Sequence, residues 1–393
     1  MRLIVLLLGT FSLTVAAQEA SKAVPASGQQ SASATNPTFK GSIAPNPYRE
    51  IKDWAKLPDD RIWGHVFGVG TDSKGNVWVL DRCMETSCVN SMQVPPILQF
   101  DSNGNFIKSI GTGLFVFPHS LYVDHEDNIW VADCGVKNGI GNQVFKLSPD
   151  GKVLLTLGEK GVLGGRPENF VGPTDVVVAP NGDIIVADGH AAIALGGGEF
   201  YGNTSTSERS RMRVMRFSKE GKLLRVFGKE GRGPGEFDMP HGVALDSKGR
   251  IFIADRGNNR VQIFDPDGNF LEEWKQFGKA CGLYIDKDDH LYVVDSDSNY
   301  DLWDWKYSVD DPPKCADCVK RIPRVPDVGL HNTEFSQGVR IGSVLDGIVR
   351  AFIPPDMGPE GPTTLTERIT VDAQGRVFLA DARTMNLRVF VKK

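Results

Sequence analysis

HGVALDSKGRIFIAD, residues 241–255, reads as two short apolar strands joined by a Ser-Lys-Gly turn, and near-copies of it recur along the chain. HSLYVDHEDNIWVAD occupies 119–133 and CGLYIDKDDHLYVVD occupies 281–295. Aligned on the aspartate that closes the second strand, six repeats end at Asp81, Asp133, Asp188, Asp255, Asp295 and Asp381. Fourteen residues before each stand Phe67, His119, Thr174, His241, Cys281 and Glu367. After 255 the text continues as NRVQIFD and GNFLEEW behind Gly-Asn-Asn and Pro-Asp-Gly turns, so each unit holds four strands. Alternating apolar residues mark the strands, and the Gly, Asn and Asp pairs supply the positive φ of tight hairpins. Four-stranded meanders recurring at roughly 40–50 residues predict an all-β ring, a six-bladed β-propeller.

Several boundaries follow from that frame. The last repeat shows only three strands, ending at NLRVFVKK. An open ring would expose unpaired backbone groups, so a segment from 48–66 is expected to supply the missing strand. The propeller is expected over 48–393, with insertions at 189–211 and 296–335 that follow the strand-closing aspartates of blades three and five. Insertions at that point emerge on one rim, where lids and binding loops usually sit. The second insertion carries Trp303, Trp305 and a Cys315-Ala-Asp-Cys318 pair; Val319 stands where a haem-attachment motif needs histidine.

Residues 1–17 read as a signal peptide: Arg2 as the charged end, an apolar run from Leu3 to Val15, and a small-residue cleavage site before Gln18. That run is shorter than the roughly 20 residues a spanning helix needs. Residues 18–47, rich in Ala, Ser, Gln and Pro, read as a disordered linker. The mature chain is therefore expected to be exported, periplasmic or secreted, with no membrane attachment. In an oxidising compartment Cys83 and Cys88 can pair, as can Cys315 and Cys318; the pairing of Cys134 and Cys281 stays open. The net charge of −5 has both signs interspersed, which excludes an electrostatic case for nucleic acid. A monomer is expected.

The six aligned positions start the innermost strands and should face one another across the axis. His119, His241 and Glu367 fall on alternate blades, about 120° apart in a six-fold ring. Three such side chains can converge from one side and leave the opposite side open, as a catalytic zinc requires. Two histidines and a carboxylate suit iron(II) as well. Cys281 offers a soft fourth ligand or a buried thiol. His65, His125 and His290 are expected to be solvated.

The linker GKEGRGPGEFDMPHG (228–242) resembles that of NHL-type propellers. FPHSLYVDHEDNIWVAD with NQVFKL, PTDVVVAPNGDIIVADG, MPHGVALDSKGRIFIADR and the late QGVRI and GIVRAF segments resemble the peptidyl-α-hydroxyglycine α-amidating lyase family over most of 60–393. The resemblance implies a six-bladed propeller with an axial zinc, cleaving α-hydroxyglycine-extended peptides to an amide and glyoxylate. It places His119 and His241 on two zinc histidines, and Arg82 and Arg256 on substrate-site arginines. The chain departs from the pattern at three points: Glu367 replaces the third histidine, Arg368 replaces a calcium-binding aspartate, and His190 replaces a tyrosine proposed as base. A structural calcium is therefore not expected. Either His190 or Tyr201 is the expected base. The resemblance implies that Arg82 and Arg256, expected at the channel rim, would hold a carboxylate, and that the substrate would be a small molecule or a peptide C-terminus. Two rival readings fit the same residues: a non-enzymatic propeller binding a peptide, polysaccharide or protein, and a metal-dependent lactonase or esterase.

Overall fold

A computed structural model of the chain describes residues 44–190, 211–296, 298, 335–358 and 361–393. The signal segment, most of the linker and most of both insertions lie outside the described residues, and with them Tyr201, Trp303, Trp305, Cys315 and Cys318. Among those described, six four-stranded antiparallel sheets succeed one another as blades. Their innermost strands are Val66–Thr71, Pro118–Val123, Pro173–Val178, Pro240–Leu245, Ala280–Ile285 and Thr366–Val371. Each begins one residue before the aligned position read from sequence.

The ring closes as expected, in blade six. Tyr48–Ile51 pairs antiparallel with Asn386–Lys392 and becomes that blade's outermost strand. Glu50 on this strand meets Arg388, with Oε1 at 3.0 Å from Nε. The apolar core lies between blades rather than within one. Trp130, Val144 and Leu157 of blade two pack with Phe170, Val176, Met215 and Phe217 of blade three. Val66, Val69 and Val77 of blade one pack with Phe378, Leu387 and Val389 of blade six. A fully buried large apolar side chain contributes about 1.5–3 kcal/mol, so these seams hold the ring together.

One irregularity sets up the axis. In every blade the residue before the aligned position pairs with the closing aspartate, as in Pro118↔Asp133 and Pro240↔Asp255. The pairing register then shifts past the aligned residue itself, in all six blades. A bulge leaves its extra residue unpaired and re-aims its side chain. The bulge is anchored by the aspartate, which is buried and, in blades one to four and six, accepts main-chain N–H bonds from the incoming loop. Asp133 takes those of Val116 and Phe117, at 3.0 and 2.6 Å, and Asp188 takes those of Val171 and Gly172. Glycine follows the aligned residue where backbones crowd: a Cβ at Gly282 would lie 2.5 Å from the Glu367 carbonyl oxygen.

Candidate metal centre

The bulged residues are all buried, and three of them gather their polar atoms in the channel. His119, His241 and Glu367 offer ligand atoms that all lie within 4.8 Å of one another. The two imidazoles cross nearly at right angles, with centroids 4.7 Å apart. His119 Nδ1 lies 2.9 Å from the Thr174 carbonyl oxygen and His241 Nδ1 lies 3.3 Å from that of Cys281. Both Nδ1 atoms also face the Arg368 guanidinium, at 3.3 Å for His119 and 3.4 Å for His241. The shorter carbonyl contact at His119, and the Arg256 donor at His241 Nε2, favour a ring hydrogen on Nδ1 and a lone pair on Nε2. Glu367 Oε2 is 3.9 Å from His241 Nε2. A main-chain carbonyl behind each histidine is the usual outer partner of a metal-ligating imidazole. Two neutral nitrogens and a carboxylate, so held, fit zinc or iron(II).

Cys281, on blade five, stands behind the carboxylate. Its Sγ is 3.0 Å from Glu367 Oε2 and 3.2 Å from His241 Nδ1. The thiol donates to the carboxylate and meets His241 on the Nδ1 side of the ring, away from Nε2. It is a reduced, buried thiol, as is Cys134, and the two do not pair. Cys83 and Cys88 do form a disulfide.

Arg368 follows Glu367 and reaches across the channel. It donates to the carbonyl oxygens of Glu367 at 2.8 Å, Thr174 at 2.7 Å and His241 at 3.1 Å. Its Nε faces Asp175 Oδ1 at 3.6 Å. Where the family resemblance expects a calcium-binding aspartate, the chain thus turns its own positive charge toward main-chain oxygens of blades three, four and six.

The arginines that follow strand-closing aspartates also point inward. Arg82 is 2% exposed, and its guanidinium carbon sits 3.3 Å from the Phe67 ring centroid and 3.4 Å from that of Phe117. Its Nε donates to the Pro118 carbonyl at 3.0 Å, and its buried Nη2 has no hydrogen-bond partner among the described residues. Burial lowers its pKa to about 9. Arg256 opens a short 3-10 turn, Arg256–Asn258, and its Nη1 lies 3.3 Å from His241 Nε2. The sequence expects both at a rim; both are buried inside the channel wall.

His190 joins the same cluster rather than an exposed loop. Its main-chain N–H donates to the Gly172 carbonyl at 3.0 Å, which fixes the backbone that carries the ring. The ring centroid lies 4.6 Å from that of His119 and 5.5 Å from that of His241, so it packs against both imidazoles. Burial, reinforced by the neighbouring arginines, drives the pKa of His119, His190 and His241 well below the ordinary imidazole value and keeps all three neutral.

Two readings of the sequence need correction or extension. His65 is only partly exposed rather than fully solvated: its ring stacks on Phe67 at 6.3 Å, and partial burial beside Arg82 lowers its pKa to about 4. His125 and His290 are exposed, as expected. Cys134 carries no chemical expectation from sequence, yet its Sγ lies within 4.8 Å of ligand nitrogens of His119 and His190. A signal does exist. Cys134 directly follows Asp133, as Arg82 follows Asp81 and Arg256 follows Asp255.

Fold and axial site together define an NHL-type six-bladed propeller, and the NHL repeat model matches residues 237–264, within blade four. Among its relatives is the human "NHL repeat-containing protein 3", 31% identical over 234 residues, 58% of this chain and 59% of that protein. Another is a Caenorhabditis elegans protein named as a probable peptidyl-alpha-hydroxyglycine alpha-amidating lyase. It is 35% identical over 227 residues, 56% of this chain and 57% of that protein. The chain thus spans less than two thirds of either relative. A gluconolactonase from Xanthomonas campestris superposes with a TM-score of 0.54 at 16% identity, covering 85% of this chain and 88% of that one, which speaks for the fold alone. Among the described residues no helix is long and apolar enough to cross a membrane.

Proposed function

We propose that the chain is an exported, metal-dependent lyase that cleaves the C–N bond of a carbinolamide of the peptidyl-α-hydroxyglycine type, giving an amide and glyoxylate. The observation that carries this reading is the convergence of His119, His241 and Glu367 beside two buried arginines. Relatives named as amidating lyases, in Caenorhabditis elegans and Drosophila melanogaster, support it at modest identity. A zinc or iron(II) ion held by those three side chains would supply Lewis-acid polarisation of the substrate hydroxyl.

The remaining roles fall to the chain's own groups. The unpartnered Nη2 of Arg82 offers a donor to the substrate carboxylate, and the flanking phenylalanines shield it from solvent. Arg256 Nη1 donates to His241 Nε2. A metal–nitrogen bond would use the same lone pair, which frees this donor for the carboxylate. Neutral His190 accepts the hydroxyl proton as the C–N bond breaks, and returns it to the departing amide nitrogen. The carbon left behind becomes the aldehyde of glyoxylate, so the atoms balance.

The test is glyoxylate release from N-benzoyl-α-hydroxyglycine by the mature protein, with metal content measured in parallel. Glu367→Ala should lose the metal and the activity together. Arg256→Ala should keep the metal and raise KM roughly 10–100-fold, the worth of a charge-assisted hydrogen bond. Unchanged kinetics in Arg256→Ala would remove its role. A protein that carries metal, releases no glyoxylate and opens lactones would be a lactonase instead.

A further inference from the structure

Two donor sets share His119. Beside the set completed by His241 and Glu367, a second one joins His119, Cys134 and His190, and its ligand atoms also lie within 4.8 Å of one another. All three residues are buried, at 1%, 6% and 6% exposure. They come from separate positions of the fold: the bulge of blade two, the residue after Asp133, and the second residue after Asp188. The Cys134 thiol donates to the Phe117 carbonyl across 3.6 Å, a long and weak bond that a stronger partner would replace. The His190 ring is turned in against His119 although it leads into the long insertion of blade three.

We propose that His119, Cys134 and His190 form a second metal site, selective for thiophilic ions such as Cu⁺, Cd²⁺ or Zn²⁺. Two imidazoles and a thiolate are a softer set than two imidazoles and a carboxylate, so the two sites prefer different metals. His119 Nδ1 is committed to the Thr174 carbonyl, which leaves one nitrogen for both sites. They are therefore alternatives, and an ion in the sulfur site excludes one from the carboxylate site. Binding displaces the Cys134 thiol proton, which passes to solvent; no electron is transferred. The site is independent of the lyase reading, since it needs only the second donor set. Its consequence for any axial chemistry is inhibition by thiophilic metals through His190 and His119.

The experiment uses Co²⁺ as a spectroscopic probe added to the metal-depleted mature protein. Wild type should show a near-ultraviolet thiolate-to-cobalt charge-transfer band. Cys134→Ser should lose that band while keeping the visible ligand-field bands of cobalt held by His119, His241 and Glu367. Glu367→Gln should keep the charge-transfer band. His190→Ala, a change among the buried channel imidazoles rather than in an apolar blade seam, should weaken it and lower Cd²⁺ affinity, which keeps the test decisive if Cys134→Ser folds poorly. Absence of the band in both wild type and Glu367→Gln, where the carboxylate set no longer competes for the ion, overturns the proposal. So does a band that survives Cys134→Ser and disappears in Cys281→Ser, which would place the sulfur ligand on blade five. Glyoxylate release is not read in this test, so its outcome does not depend on the reaction catalysed.

Discussion

Replacing Arg368 by alanine should both loosen the ring and weaken the centre, and the structure sets the scale of each effect. The guanidinium makes three bonds of 2.7–3.1 Å to main-chain carbonyls of Thr174, His241 and Glu367, and it is the positive neighbour of buried Asp175. Hydrogen bonds to charged groups are worth about 1.5–3 kcal/mol each, but they share one side chain and do not add. Asp175 would keep the main-chain donors of Val176 and Val243 but lose this cation while still buried. Breaking a buried charge pair from one side costs about 3–5 kcal/mol, and that range is the expected loss for Arg368→Ala. Equilibrium denaturation, compared with wild type at one pH, measures it. Arg368→Lys keeps the charge but not the planar fork, so it should recover less than half of the loss. The second effect runs through Thr174, whose carbonyl also holds His119 Nδ1. Losing such an outer partner lowers metal affinity by roughly 10–100-fold, readable by chelator competition. An alanine variant within about 1 kcal/mol of wild type, with unaltered metal affinity, would refute the idea that this side chain ties the channel together.

Further outcomes are expected at residues outside the His119, His241 and Glu367 set. His65 has a folded-state pKa of about 4 against an ordinary 6.5. Between those values the unfolded chain binds the proton and the folded one does not, so stability falls as pH drops from 6.5 toward 4, then levels. At about 1.36 kcal/mol per unit this is roughly 3 kcal/mol; His65→Asn should flatten that part of the stability–pH curve, and a curve parallel to wild type would contradict it. Deleting 44–52 removes the closing strand, takes buried Tyr48 out of its seam and leaves Arg388 without Glu50. The variant should expose the edge of Asn386–Lys392 and self-associate in light scattering; a monomer of wild-type melting temperature would show that three strands suffice for blade six.

Much of the propeller is legible in the sequence because its repeat is written in short-range chemistry. Turn residues and strand alternation recur with the strand-closing aspartates, and each aspartate is recognisable because its burial is tied to the N–H groups of one nearby loop. The same spacing picks out His119, His241 and Glu367 as one set, and the bulge explains why: pairing slips past the same position in each blade. His65 escapes such a reading because its neighbours Phe67 and Arg82 enclose it only after the strand and the disulfide loop have folded back. Cys134 escapes it for a similar reason, since its partners lie 15 residues before it and 56 after it.

What the sequence determines here is periodic: six blades, the place where each turns toward the axis, and the type of side chain offered there. Which atoms meet is decided by the tertiary structure. Closure of the ring brings together residues as far apart as His119 and Arg368, and excludes water from them. Only then do three imidazoles become neutral, does an arginine bond to carbonyls of three blades, and does one histidine stand between a carboxylate and a thiol.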